Sequence, residues 1–340
     1  MIASPRQGNP CHPPSESLVQ AKVAGYFSEK HLAFVLNMSV ERLKEFAASA
    51  NFMYVPFDQR RRGKVRRIDR PIEPLLSFQR LIYRRLLRDF QFSSTVHAGV
   101  LGRSIFTAVA PHVRRPVVVT ADLADFYPSI TQSNIFHIWR DTLGYGREAA
   151  KLLAQLTSFR GILPQGAPTS LALANIFMVP ADLAIALQLS LIGVDVRLSR
   201  WVDDIIVSGS LAEPHLVFSI VADAVRPLGL RLHRKKSKRH VMLRCTPQTA
   251  LGLRLNNGIT VPRERRAKLR AAVHNLCFGI GDVESIMGRV QFAKRCHPDT
   301  ARRLLSSLLT VATRQPRPRR RKTRAPKGAF RRPPRAQPPG

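Results

Sequence analysis

Three acids in this chain sit where acids are disfavoured. Asp122 closes the run Val117-Val118-Val119-Thr120-Ala121, and Asp203 and Asp204 lie side by side between Trp201-Val202 and Ile205-Ile206-Val207. Asp is depleted in strands, and short β-branched runs of this kind read as buried strands. Carboxylates gathered in one place raise each other's pKa unless a cation neutralises them. Hard oxygen donors suit Mg2+, which takes one or two carboxylates plus substrate phosphates. Two such ions about 3.5–4 Å apart can activate a hydroxyl and stabilise a leaving pyrophosphate. Read singly, Asp122 is a helix cap and Asp203-Asp204 an ordinary polar turn. The metal chemistry requires the two segments to meet.

The charge of the chain narrows what such a site would act on. The 340 residues carry a formal charge of +33. Arg314–Gly340 holds 11 Lys and Arg and no acid, which leaves +22 on the rest. So large an excess calls for a polyanionic partner, and nucleic acid leads because neutralised phosphates release counterions. An anionic membrane surface is the competing reading from charge alone. The four cysteines, Cys11, Cys245, Cys277 and Cys296, form no paired spacing, so neither a zinc site nor a disulfide framework is indicated, in keeping with a reducing cytoplasm. The N-terminus has no charged-then-apolar signal pattern. The apolar stretch 170–194 contains Pro180 and Asp182, which favours a buried helix or helix pair over a membrane span.

The elements that must position the acids are legible in outline. Leu32, Val35, Leu36, Leu43, Phe46 and Ala47 have helical spacing within 17–50. A basic loop, Arg60-Arg61-Arg62-Gly63-Lys64, opens a strand-like stretch, and 77–92 reads as an amphipathic helix. The valines leading to Asp122 are a strand, 132–143 and 147–159 are helical, and Pro164, Gly166 and Pro168 punctuate a loop over 163–170. Residues 194–198 and 205–207 flank Asp203-Asp204 as a hairpin. A helix over 212–228 follows, then short strands at 250–255 and 259–261 and a basic helical region over 263–276 and 283–309. Strands and helices mix without βα alternation, which predicts an α+β fold. The Pro- and Arg-rich tail should not pack.

The segments also carry a family likeness. Val119-Thr-Ala-Asp-Leu-Ala-Asp-Phe-Tyr-Pro-Ser-Ile130 resembles motif A of reverse transcriptases. Ile162-Leu-Pro-Gln-Gly-Ala-Pro-Thr-Ser-Leu171, with Asn175 beyond, resembles motif B of the retron and group II intron enzymes, and Ser199-Arg-Trp-Val-Asp-Asp-Ile-Ile-Val-Ser208 resembles motif C. Lys64, Arg66-Arg67-Ile68, Pro71 and Gln79 look like the fingers motif; Gly229-Leu230 with Lys236-Ser237 looks like motif D; Leu251-Gly252-Leu253 with Asn256 looks like motif E. The likeness covers about residues 60–310.

The resemblance implies a right-hand polymerase, fingers–palm–thumb, with an antiparallel palm sheet flanked by helices. It divides the chain into a disordered N-terminus (1–16), a helical extension (17–59), fingers (60–116), palm (117–258, with a fingers insertion at about 130–165), a helical thumb (259–313) and a disordered basic tail (314–340). It implies that Asp122, Asp203 and Asp204 hold two Mg2+ ions, with Mn2+ as the alternative, and that the Leu123 carbonyl is a further ligand. Asp125 and Phe126 would offer backbone N–H groups to the triphosphate, which a tight turn after a strand can supply. Tyr127 would be the steric gate against a ribose 2′-hydroxyl. Arg66 and Lys64 would meet the β- and γ-phosphates, Arg through its forked donors. Gln165 and Gly166 would line the nucleotide pocket, Lys236 would protonate the leaving pyrophosphate, and Trp201 with Val202 would form the primer platform. A bland reading of Lys64 and Arg66 is contact with the template backbone alone, and of Lys236 a solvated charge run.

The pattern departs in places. Trp201 stands where the family usually has Tyr, and Ala108-Val109-Ala110-Pro111-His112 and Ala250-Leu251-Gly252 are eroded forms of two retron signatures. The implied function is RNA-directed DNA synthesis on an RNA template, from a DNA or RNA primer with dNTPs, with a dedicated structured RNA and phage defence as the retron-like setting. The alternatives are a non-catalytic RNA-binding protein on a polymerase scaffold and an untemplated DNA synthase of the abortive-infection type. The oligomeric state is not legible.

Overall fold

The structure, a computed structural model, describes residues 27–61, 64–192, 195–235, 238–276 and 278–313. The expectations for 1–16 and 314–340, and for the start of the helical extension, lie outside the described residues. The chain forms two compact units whose boundary in sequence falls between Pro262 and Arg263.

Serine caps start the first two helices, each hydroxyl accepting an orphan first-turn N–H. Ser28 accepts from His31 ahead of α1 (Glu29–Leu36), and Ser39 from Arg42 ahead of α2 (Val40–Ser49). The helical extension ends earlier than its residues suggested. β1 (Tyr54–Arg61) begins inside it, because Tyr, Val and Phe suit a strand and Pro56 cannot continue a helix. β1 pairs antiparallel with β2 (Lys64–Pro71), Arg61 opposite Lys64, so the basic loop is the tip of a hairpin. The expected helix over 77–92 is α3 (Leu75–Ile82), prolonged by a π-turn to Leu87. A Ser104–Thr107 capping box opens α4 (Ile105–Val109).

β3 (Val117–Asp122) is the centre of the larger sheet. After it come α5 (Phe126–Ser129), α6 (Gln132–His137) with a π-turn to Thr142, and α7 (Arg147–Thr157). The apolar stretch is α8 (Ser170–Phe177) and α9 (Val179–Ile192). Among the described residues no single helix is long and apolar enough to cross a membrane, and α8 and α9, which together have the length and composition, are bent by 44°. The hairpin is β4 (Arg197–Trp201) and β5 (Asp204–Gly209), followed by α10 (Leu216–Val225) and β6 (Arg239–Leu243). The sheet runs β4-β5-β3-β6, every pair antiparallel. β6 was missed in the sequence, where its polar alternation sits beside a charge run. The stretch read as one strand at 250–255 is a tight hairpin, β7 (Thr249–Ala250) with β8 (Leu253–Arg254), because Leu251 and Gly252 both take positive φ.

Val117, Val118 and Val119 are all buried, so both faces of the sheet are covered. Val117, Val119, Ala121, Ile205 and Val207 belong to one core with Leu173, Ile176, Ile185, Val217 and Val221 from the helices. The result is a mixed α and antiparallel β domain, as expected.

The second unit is helical. It contains α11 (Arg263–Leu276), α12 (Val283–Lys294) and α13 (Pro298–Thr313). The helical region expected over 283–309 is two helices that break ahead of Pro298, a residue that fits a first turn and not a helix interior. Leu269, Val273 and Leu276 are buried, while the cations of α11 lie on its other positions.

Candidate active site

The two acidic segments meet by backbone register. β3 pairs with β5 so that Asp122 stands opposite Asp204, and the Leu123 N–H donates to the Asp203 carbonyl at 3.1 Å. The turn between β4 and β5 is Val202-Asp203, tight enough to put Val202 at φ 60. The hairpin read from sequence therefore exists, with Asp204 as the first residue of its return strand. Asp122 is buried at 7 % exposure. From the other side of β3 the His233 N–H donates to the Asp122 carbonyl at 2.8 Å.

A buried carboxylate needs a positive partner. Lys238 provides one, its ammonium in a salt bridge with the Asp122 carboxylate. Among the described residues no three His, Cys, Asp or Glu side chains converge closely enough to hold an ion as they stand. The donor set nonetheless fits a hard divalent cation, since it is all carboxylate oxygen, and the ammonium of Lys238 already stands against Asp122 as a cation would. Sequence reading singled out Lys236, which lies outside the described residues, and passed over Lys238 as part of the same charge run.

Behind Asp122 the chain turns sharply. Asp125 sits in the left-handed region at φ 48, a conformation Asp tolerates, and caps α5 by position. Its exposed carboxylate pairs with Arg231 at 3.0 Å, a surface pair of little energetic weight. Phe126 is buried and meets Tyr127 edge-on at 5.6 Å between centroids. Burial pushes the Tyr127 phenol up to about 12, and the negative charge of Asp203 pushes in the same direction.

Tyr127 lines a cleft of about 310 Å3 with Arg67, Asp69, Phe159, Arg160 and Gln165, a volume in the range of small-molecule sites. The cleft lies where three segments converge: the turn after β3, strand β2, and the loop before α8. The loop is fastened to β2 by the Asp69 N–H, which donates to the Gln165 carbonyl at 2.9 Å. Gly166 takes φ +120, and a Cβ there would stand 2.8 Å from Ile68 Cγ2, so the loop can approach the strand this closely because the residue is glycine. Beneath the cleft Tyr54 stacks on Phe159 at 4.5 Å, and Gln79 donates to the Tyr54 hydroxyl at 2.7 Å.

The arginine facing this cleft differs from the expected one. Strand alternation sends Arg66 to the opposite face of β2 from Arg67, with Arg66 opposite Gln59 and Arg67 opposite Asp58. Arg67 lines the cleft and holds Asp69 at 3.2 Å, and Arg160 joins it from the far wall. Lys64 is the first residue of β2, at the hairpin tip, and its side chain lies outside the described residues. Period two within Arg66-Arg67 was the signal that could have separated the pair. A second cleft of about 510 Å3, lined by Gln132, Phe136, Arg140, Arg147, Lys151 and Gln155, contains none of the expected site residues.

Trp201 lies opposite Asp204 across the hairpin and is half-buried, as is Val202. His97 and His112, given no chemistry from the sequence, bond to Thr107 at 3.0 Å and Ser208 at 2.7 Å.

The chain is similar to known proteins. Residues 63–255 match the family described as reverse transcriptase (RNA-dependent DNA polymerase). The chain is 31% identical over 305 residues to the retron Mx65 reverse transcriptase of Myxococcus xanthus, a match covering 82% of this chain and 70% of the relative. It is 26% identical over 285 residues to the retron Ec86 reverse transcriptase of Escherichia coli, covering 79% of this chain and 84% of that one. The retron Mx162 enzyme of Myxococcus xanthus is 28% identical over 327 residues, covering 83% and 66%.

Proposed function

Because this chain belongs to the reverse transcriptase family and is an RNA-directed DNA polymerase of the bacterial retron type, we propose that Asp122, Asp203 and Asp204 are its metal-holding carboxylates. The observation that carries the reading is the ladder contact of Asp122 with Asp204, closed by the Leu123–Asp203 hydrogen bond. The family works with divalent metal ions. Asp122, Asp203 and Asp204 would hold two Mg2+ ions, or Mn2+ in their place, and such ions would supply activation of the priming hydroxyl and charge stabilisation of the pyrophosphate. The Leu123 carbonyl, one residue beyond Asp122, is a further ligand. Lys238 neutralises the Asp122 carboxylate in the metal-free chain, and a bound cation would supply that charge instead.

Other roles are assigned to residues of the cleft and of the segments beside it. Tyr127 presents a half-buried ring at the cleft wall and so excludes a 2′-hydroxyl by bulk. Arg67 and Arg160 neutralise the triphosphate, with Arg66 and Lys64 left to the template backbone. Asp125 and Phe126 offer amides at the turn, Gln165 and Gly166 form the pocket edge, and Trp201 with Val202 supports the primer end. Lys236 is the general acid to pyrophosphate. In these terms the β1–β2 hairpin belongs to the fingers, the four-stranded sheet is the palm, and the unit from Arg263 is the thumb.

The partners are nucleic acid and dNTPs. The basic α11 meets phosphates without reading bases, which suits a dedicated structured RNA held largely by its backbone. A role in phage defence is the biological setting we assign. The test is deoxynucleotide incorporation on a primed RNA, by the native chain and by Asp203→Asn. Activity that survived the substitution would refute the metal assignment.

A further inference from the structure

Arg200 is an unusual residue to find at 1 % exposure inside a protein. Removing an ion pair from water costs more than it returns unless every donor is used. Here the donors are used in three directions. Nε reaches Asp182 Oδ1 at 2.7 Å and NH2 reaches Asp182 Oδ2 at 2.7 Å, so the carboxylate on α9 is gripped at both oxygens. NH1 donates to Asn175 Oδ1 at 2.9 Å and to the Val202 carbonyl at 3.1 Å. Asn175, on α8, in turn donates to the Ala98 carbonyl at 2.8 Å. Asp182 and Asn175 are themselves buried.

The carbonyl that Arg200 holds belongs to the strained residue of the turn. Val202 is β-branched and sits at φ 60, a conformation such residues avoid and keep only where the surroundings over-determine it. Asp203 and Asp204 follow directly. Asn175 belongs to the helix that begins where the 163–169 loop ends.

We infer that Arg200 is a positioning residue: it holds the Val202 carbonyl so that the turn keeps its left-handed conformation and sets Asp203 and Asp204 opposite Asp122. Through Asn175 it locks that turn to α8, and hence to the loop carrying Gln165 and Gly166. The inference rests on the metal reading of the three aspartates. Glycine adopts φ 60 without strain, so a Val202→Gly change makes the clamp dispensable.

The test uses the full chain, with Mn2+ as the probe. Mn2+ affinity is followed by electron paramagnetic resonance, and acrylamide quenching of Trp201 is measured without metal; the other tryptophan, Trp139, is fully buried and supplies a constant background. Arg200→Lys keeps a charge near Asp182, but its donors radiate from one nitrogen and cannot span Asp182, Asn175 and the Val202 carbonyl as the guanidinium fork does. It should weaken Mn2+ binding about tenfold, the equivalent of one charge-assisted hydrogen bond, and raise Trp201 quenching. Adding Val202→Gly should restore most of both. A merely structural role would lower the melting temperature and show no such rescue. If Arg200→Lys does not fold, Asn175→Ala, which spares the ion pair, should give the same shifts at smaller size. Native-like quenching in the lysine variant, or no recovery in the double variant, overturns the inference. Equal Mn2+ binding by the native chain and Asp203→Asn would instead sink the metal reading, and the quenching rescue would still decide the role of Arg200.

Discussion

Asp122 stands opposite Asp204 in the β3–β5 ladder, although α5 to α9 and β4 lie between them in sequence. That contact turns three scattered acids into a candidate metal centre. Replacing Asp122 with Asn removes one of the shared charges while keeping the shape. DNA synthesis should fall by at least about a thousandfold, as expected when several kcal/mol of metal-borne stabilisation are lost. Thermal stability of the metal-free chain should fall, because the Lys238 ammonium loses its carboxylate partner. A single-turnover assay alongside a melt reads both, and a variant within tenfold of the native rate would contradict the assignment.

Tyr127 bears on sugar selection. Its ring is half-buried beside Gln165 and Arg67 at the cleft wall. Tyr127→Val should admit ribonucleotides, raising their kcat/KM relative to the matching deoxynucleotides by about 10–100-fold, the usual reach of a steric pocket contact. The phenol's high pKa adds a second expectation: pushed up to about 12, it should leave selectivity flat through pH 10. Unchanged discrimination in the valine variant would make Tyr127 a packing residue.

Arg67 and Arg66 are neighbours with different fates. Arg67→Ala should raise KM for dNTPs about 10–100-fold, the loss expected for charge-assisted contacts to phosphate. It should also lower the melting temperature, since buried Asp69 loses its partner. Arg66→Ala should change KM less than about threefold, within the range of an exposed charge, and act instead on template affinity and its salt dependence. The reverse ordering would restore the assignment suggested by sequence alone.

Sequence legibility followed the range of the forces involved. The strand ending at Asp122 and the hairpin holding Asp203 and Asp204 were legible because short β-branched runs encode them, whereas Tyr127 and Gln165 were singled out only by the family resemblance. The α8–α9 pair announced itself through Pro180 and Asp182, although the reason for Asp182 was hidden until Arg200 was seen beside it. Period two put Arg66 and Arg67 on opposite faces, but which of them meets the cleft was not legible, because it depends on which face of β2 meets a loop from far along the chain. Lys238 was lost in a run of cations for the same reason. The eroded segments at 108–112 and 250–252 left the retron kinship open, and similarity spread over most of the chain settled it.

Gly166 should be intolerant of even one methyl group. At φ +120 and with Ile68 Cγ2 at 2.8 Å from the added carbon, Gly166→Ala meets both backbone strain and a clash. Destabilisation of about 1–3 kcal/mol is expected from strain of this kind, together with a raised KM for dNTPs as the Gln165 edge moves. Adding Ile68→Ala should recover the part due to the clash and leave the part due to φ. If the double variant were no better than the single one, contact with β2 would not be what fixes the loop.

The buried histidines set the acid limit of the fold. His112 is fully buried, Nδ1 bonds to Ser208, and Nε2 has no hydrogen-bond partner among the described residues. Burial first, then the positive charges of Arg115 and His97, lower its pKa to about 3. Burial and Arg103 lower that of His97 to about 4. Above about pH 6.5, the ordinary value, both rings are neutral folded or unfolded and contribute no pH dependence. Below it the unfolded chain takes up protons that the folded chain refuses, so stability falls with falling pH until the folded values are reached. Each histidine should contribute a slope of up to about 1.4 kcal/mol per pH unit. Between pH 6.5 and 5, before most carboxylates titrate, the two histidines should dominate. His112→Asn keeps an acceptor near Ser208 and cannot take up a proton. It should lower stability at pH 7.5 yet reduce the slope over that window by roughly half. Denaturant unfolding at a series of pH values measures this directly, and an identical slope in the asparagine variant would mean that His112 is protonated in the folded state.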